Sequence, residues 1–237
     1  MKILKKNDYS CGNYAGIWAI VEYERYPPVR DKTVGKTTYR AGIYETIKIF
    51  GDFTDVYKIL IITTDSFEIP GNIIEGVGKK FDMIVLTSNK GLDFGAYQRI
   101  IYLLIGVVDD RTPFILSNSS FVPPSQLNIR KFIDPLILNG AIIGTSFGYG
   151  PRYLPLKPLH LQTFFLMSTF GNLRKIFDRL GCFESLNKRI IILFGEIRLS
   201  LIAFKLGLKL CVVDGRSIRV FYRPVWRFFA YDHRIDS

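Results

Sequence analysis

The chain has 237 residues, 48% apolar and 22% charged, the make-up of a folded domain long enough to bury a core, not of a disordered or collagen-like segment. Lysine and arginine number 32 against 21 acids, and the formal charge of +11 calls for an anionic partner: nucleic acid, an anionic membrane face or a phosphate-bearing substrate. The three cysteines, Cys11, Cys182 and Cys211, form no CxxC pair, which points away from a disulfide scaffold or zinc site and toward a reducing compartment.

The charged start, Met1 to Asp8, leads into no apolar stretch of signal-peptide length, and no apolar run approaches the ~20 residues of a membrane span. The expectation is an intracellular, cytoplasmic protein that does not cross the membrane. No repeat, low-complexity tract or linker interrupts the chain, so 1–237 reads as one domain.

In chain order, Ile17 to Tyr23 reads as a strand ended by Tyr26-Pro27-Pro28, and Arg30 to Lys36 as a polar loop. Ile43, Ile47 and Phe50 have helical spacing within 41–50. Tyr57 to Thr64 and Phe81 to Thr87 are β-branched runs suited to strands buried on both faces. Asp93 to Val108 reads as a helix and Pro113 to Leu116 as a strand. Short apolar pieces follow at 140–144 and 161–169. Asn172 to Leu180 reads as a helix closed by Gly181, Glu196 to Leu206 as another closed by Gly207, and Leu210 to Val213 as a last strand. Alternating strand and helix patterns predict an α/β domain with a mainly parallel central sheet covered by helices. Ligands of such sheets bind beyond the carboxyl ends of the strands.

Five groups stand at such ends or near them. Asp65 follows the 57–64 strand and is either a turn residue or an acceptor for a base or ribose. Asn89-Lys90-Gly91-Leu92-Asp93 is a strand-to-helix turn, a natural anion site, and is neither a P-loop nor GxGxxG. Ser117-Asn118-Ser119-Ser120 ends a strand without a carboxylate. His160 and Gln162 alternate, so on a strand they share a side. Glu196 leads a helix, where it serves either the helix dipole or as a general base.

The order of these groups resembles the GT-A glycosyltransferase layout. More narrowly, NKGLDFGAY (89–97), ILSNSSFVPP (115–124), HLQTFFLMS (160–168) and GEIRLSLIAFKLG (195–207) resemble the rhamnan synthesis protein F family of bacterial polysaccharide glycosyltransferases. The resemblance runs from Tyr57 to Val213. It implies a GT-A-like, Rossmann-like domain that transfers a hexose from a nucleotide-diphosphate sugar to a glycan or lipid-linked polysaccharide acceptor. Asp65 would hold the base or ribose. Asn89, Lys90, Gly91, Asp93, Ser117, Asn118 and Ser119 would lie along the donor, and His160 and Gln162 toward the acceptor. Glu196 would take the acceptor proton, in which case the anomeric centre inverts.

That family's strand-end motif usually reads Asn-Asp-Ser. Here Ser119 replaces the Asp that would hold Mg²⁺ or Mn²⁺, so no metal ligand is assigned and the diphosphate falls to cations such as Lys90, Arg152 and Lys157. Arg216, Arg219, Arg223 and Arg227, interleaved with aromatics in 215–237, suit an anionic membrane surface, with packing on the domain as the alternative. The expected place is then peripheral, on the inner face of the membrane. The rival functions are a basic α/β nucleic-acid-binding domain and a catalytically inactive sugar-binding relative. No helix-turn-helix, RNP or KH pattern supports the former, and no nucleic acid partner is expected.

Overall fold

The computed structural model describes residues 1–10, 12–34, 36–48, 53–66, 71–120, 132–149, 156–182, 184–214, 217–221 and 226–228. The first half holds β1 (Lys2–Lys6), β2 (Gly16–Tyr23), β3 (Arg30–Val34), β4 (Thr37–Ala41), α1 (Ile43–Lys48), β5 (Val56–Thr64), α2 (Gly71–Val77), β6 (Met83–Ser88), α3 (Leu92–Leu103) and β7 (Pro113–Asn118). The second holds α4 (Pro135–Asn139), β8 (Ala141–Gly144), β9 (Phe147–Tyr149), β10 (Leu156–Leu161), β11 (Phe165–Thr169), α5 (Phe170–Leu180) and α6 (Lys188–Ile191). A π-helical turn (Ile192–Ile197) then leads into α7 (Arg198–Lys205), β12 (Lys209–Asp214), β13 (Ser217–Phe221) and β14 (Trp226–Phe228).

Nine strands form one sheet in the order β1-β6-β5-β2-β7-β11-β8-β12-β13. Its centre, β6-β5-β2-β7, is parallel throughout, and β8 and β12 make a further parallel pair. β1, β11 and β13 enter antiparallel. Side chains alternate across the sheet as strand geometry requires. Ile17, Ala19 and Val21 of β2 pack with Phe94, Tyr97 and Ile101 of α3, Leu173 and Phe177 of α5 and Leu199 of α7. Trp18 and Ile20 face the opposite layer, with Ile43 of α1, Val77 of α2 and Leu138 of α4. The expected α/β architecture, a largely parallel centre between two helical layers, is the observed one. The continuous apolar runs of β5 and β6 follow from burial on both faces.

From β2 the chain steps outward to β5 and β6, then returns to the other side of β2 as β7. The reversal makes the carboxyl ends of β2 and β7 the switch point of the sheet, the place where open sheets of this kind take their ligands.

Several expectations change. The stretch 30–36, read as a loop, is mostly strand: β3 and β4 form an antiparallel hairpin of their own. Its polarity reflects exposure on one side, with Asp31, Thr33, Thr38 and Arg40 exposed while Lys32 and Tyr39 are half-buried. The helix expected to reach residue 108 stops at Leu103, and the apolar piece 161–169 is split between β10 and β11. The charged start is an edge strand, where lysines guard an open edge.

The basic, aromatic C-terminus, read as a membrane segment, is in part sheet. Ser217–Phe221 pairs with β12 and Trp226–Phe228 with β10, so its regular stretches follow the packing alternative. Arg216, Arg223 and 229–237 lie outside the described residues, as do Cys11 and Arg152, and of Arg219, Arg227 and Lys157 only the backbone is described. Among the described residues no helix is long and apolar enough to cross a membrane.

Candidate active site

The turn between β6 and α3 sets one wall. Gly91 takes a left-handed φ of 77°, which a side chain resists, and lets the chain swing from strand to helix. Arg99 Nη2 ties the turn down by donating to the carbonyls of Ser88 (2.6 Å) and Lys90 (2.9 Å). The first turn of α3 then directs Asp93 toward the end of β7, where Asn118 Nδ2 donates to Asp93 Oδ2 at 2.7 Å. Burial pushes the Asp93 carboxyl up. Asn118 opposes the rise, the neighbouring Glu196 carboxylate adds to it, and Lys32 and Arg30 lower it.

The π-helical turn sets the facing wall. Gly195 makes it possible, because a Cβ there would come within 2.9 Å of the Phe94 ring. The close approach of this turn to α3 aims Glu196 inward. Thr163 Oγ1 donates to Glu196 Oε1 at 3.1 Å and the Thr163 amide at 3.4 Å. His160 Nε2 stands 3.4 Å from the other oxygen, Oε2. The imidazole lies over Gly148 of β9, where a Cβ would come within 2.8 Å of Nε2. The His160 side chain is 3% exposed and that of Glu196 19%, so the histidine backs a carboxylate that still reaches solvent. Glu196 sits inside an unbroken helical run from Lys188 to Lys205, not at a free N-terminus, and the helix dipole does not account for it. π-turns within helices are frequent at functional sites.

A basic rim completes the crevice. Arg30 on β3 bonds Glu22 Oε1 and Oε2 at 3.3 and 3.4 Å, Ser119 Oγ at 2.7 Å and the Pro27 carbonyl at 3.1 Å. Its guanidinium lies 4.5 Å above the Tyr26 ring. Glu22 is buried at the end of β2, and burial pushes its carboxyl up against the pull of Arg30. Two residues along β3, Lys32 Nζ lies 3.5 Å from the Ser120 carbonyl. Burial lowers the Lys32 ammonium pKa, and the positive charges of Arg30 and Lys188 lower it further. The signal for these cations is an alternating Arg30-x-Lys32, which puts both on one side of a strand; the polarity of the segment, which suits a loop equally well, hides it.

A divalent metal does not fit the strand end. Ser119, where a metal-binding carboxylate would stand, accepts from a guanidinium whose charge repels a cation. Asp93 is engaged by Asn118, and among the described residues no group of three or more His, Cys, Asp or Glu side chains is arranged to hold a metal.

No family model matches the chain. No curated protein matches it. Among solved structures, it is similar to the crystal structure of 4-diphosphocytidyl-2C-methyl-D-erythritol synthase, at 11% identity and a TM-score of 0.45, over 88% of this chain and 91% of that one. The site stands on this chain's own residues.

Of the residues singled out by sequence, Asp93, Asn118, His160 and Glu196 meet in the crevice, with Ser119 on its rim. Asn89 and Gly91 form the adjoining turn, and the Lys90 side chain is exposed beside them. Gln162 shares the side of His160, as alternation requires, and its Oε1 accepts from Ser146 Oγ at 2.5 Å. Ser117 is a correction. It points into the opposite layer, where its Oγ accepts from the buried Trp18 indole at 2.8 Å, so it cannot face a donor. Asp65 accepts from the Tyr23 hydroxyl at 2.8 Å and pairs with Arg25 at 3.5 Å at the end of β5. No bond among the described residues ties it to the Asp93 group.

Proposed function

We propose that the chain is a nucleotide-sugar-dependent glycosyltransferase, of the rhamnan synthesis protein F-like type, acting by direct, inverting displacement on the hydroxyl of a glycan or lipid-linked acceptor. One observation carries the reading: a solvent-reachable carboxylate, Glu196, oriented by Thr163 and His160, neighbours the Asp93–Asn118 pair at the sheet's switch point, with cations on the same rim.

In this reading Glu196 accepts the proton of the acceptor hydroxyl, whose oxygen attacks the anomeric carbon as the bond to the diphosphate breaks. The departing electron pair stays on the diphosphate, and its charge is met by Lys32, Arg30 and Lys188, with Lys90 at the entrance. Asp93 and Asn118 bind sugar hydroxyls, and Asn89 and Gly91 line the donor. Asp65 takes the base or ribose at the neighbouring strand end. His160 keeps the Glu196 carboxylate in place, and Gln162 extends the same wall toward the acceptor. No metal enters any step.

The test is a thermal-shift series against nucleoside diphosphates, nucleotide sugars and oligonucleotides, because a ligand of the native state raises apparent stability. A rise with one nucleotide and its sugars supports the reading. A rise with oligonucleotides alone overturns it in favour of a nucleic-acid-binding domain. Nucleotide-sugar binding without consumption of donor, with acceptor preparations present, supports the inactive sugar-binding relative instead.

A further inference from the structure

The helical run that carries Glu196 has an outer face with no role in the crevice. Ile190 of α6 and Phe194 of the π-turn stand four residues apart on this run, and Leu186 lies just ahead of it, before the N-cap Asn187. Leu186, Ile190 and Phe194 are 61%, 40% and 52% exposed. The next step in the row is Arg198, also exposed. Ile191, Gly195 and Leu199 on the inner side are buried. Single exposed apolar residues need no explanation, but large ones gathered at the start and along the outside of one helical run mark a surface that meets something.

Charge says what it meets. Arg189 stands exposed beside Ile190 and Arg198 closes the row, while no acidic residue occurs from Leu186 to Gly195. The whole chain carries +11. A helix with large apolar residues on one side and cations beside them is suited to lie in the plane of an anionic lipid surface.

We propose that this face docks on an anionic bilayer, with Leu186, Ile190 and Phe194 entering the headgroup boundary and Arg189 and Arg198 meeting the lipid phosphates. A helix with its side chains is about 10–12 Å across. Docking on the outer side therefore holds Glu196, on the inner side, within about one helix diameter of the membrane surface. What the docking serves, delivery of a lipid-linked acceptor hydroxyl to that carboxylate, rests on the proposed function; the docking itself does not.

The experiment is flotation of the full chain with vesicles of phosphatidylcholine alone and of phosphatidylcholine with phosphatidylglycerol, at low and at 0.5 M salt. A combined Leu186→Ser, Ile190→Ser, Phe194→Ser variant runs alongside, and nucleotide-sugar binding is measured on both proteins. The expected result is flotation with the anionic vesicles only, weakened by salt, and at least tenfold weaker in the variant, whose melting temperature and nucleotide binding match wild type. Equal flotation of variant and wild type, or none by either, overturns the docking face. So does a wild-type dimer that the variant lacks in the absence of vesicle binding, which would make the row a contact between copies. Flotation without nucleotide binding leaves docking standing and removes the glycosyltransferase reading; nucleotide binding without flotation does the reverse. A variant that fails to fold is replaced by the single Phe194→Ser, for which the same outcomes apply.

Discussion

A carboxylate that takes a proton from a substrate has to be held without being sealed, and Glu196 meets both conditions through Thr163, His160 and an open edge. Glu196→Gln keeps the shape and the bond from Thr163 but loses the basic oxygen. It is expected to fold and bind donor as wild type while transfer falls by about 10²–10⁴-fold. Near wild-type turnover in the variant would put the base elsewhere.

Ser117 makes the contrasting case. Ser117→Ala leaves the buried Trp18 indole N–H without its acceptor, a loss worth about 1–3 kcal/mol of stability. Denaturant unfolding should report that loss while donor affinity stays unchanged.

Asp93 gives a pH test. Its pKa in the fold is raised by burial, partly offset by Asn118 and reinforced by Glu196. Between the ordinary carboxylate range and that raised value, the native state keeps a proton that the unfolded chain has released. Stability therefore falls as pH rises through this window and stays lowered above it. Glu22, also raised by burial, acts with the same sign. Asp93→Asn should thus melt above wild type at neutral pH, with the gap closing as pH falls to the ordinary carboxylate range, and should bind donor more weakly. Melting curves across pH decide it; a gap independent of pH would contradict the assignment.

At the scale of elements, the site depends on how closely the π-turn approaches α3. Gly195→Ala places a methyl against the Phe94 ring, and overpacking of this kind costs about 1–3 kcal/mol. It should also tilt Glu196, so kcat is expected to fall more than stability alone explains. Phe94→Leu in the same chain should restore part of both, as kinetics beside thermal melts would show; no rescue would separate Glu196 from this contact.

Which elements could be read from sequence follows the same physics. β2, β5 and β6 were legible because burial on both faces writes an unbroken apolar run. The β3–β4 hairpin was not, since a two-stranded ribbon exposed on one side looks like a polar loop, and with it went the roles of Arg30 and Lys32. The π-turn leaves no periodicity of its own, so Glu196 was placed at a helix start when it sits mid-run. Asp93, Asn118, His160 and Glu196 stand out in the sequence because polar residues beside apolar strands and helices are conspicuous; that they lie near one another is legible only in the fold. The partner of Ser117 was not, because it depends on which face of β7 the residue takes.

For the molecule as a whole, the switch in strand order, not any single motif, assembles the site: it brings the ends of β2 and β7 together with the turn before α3. Part of the charge of +11 lies at this point, with Arg30, Lys32 and Lys188 close enough to act on one another. Because the Arg30 guanidinium bonds Ser119 where a metal ligand would stand, donor consumption should persist in excess EDTA. Complete loss restored by Mn²⁺ would refute the account of the rim.

The central claim, that a nucleotide sugar binds between the basic rim and the Asp93–Glu196 walls, is tested most directly by calorimetric titration of the full chain in EDTA with nucleoside diphosphates and their sugars. Wild type, Lys32→Ala and Ser117→Ala would be compared. The account predicts one-to-one binding of one nucleotide and its sugars, at least tenfold weaker in Lys32→Ala and unchanged in Ser117→Ala. No nucleotide binding by the wild type, or affinity indifferent to Lys32, would contradict it.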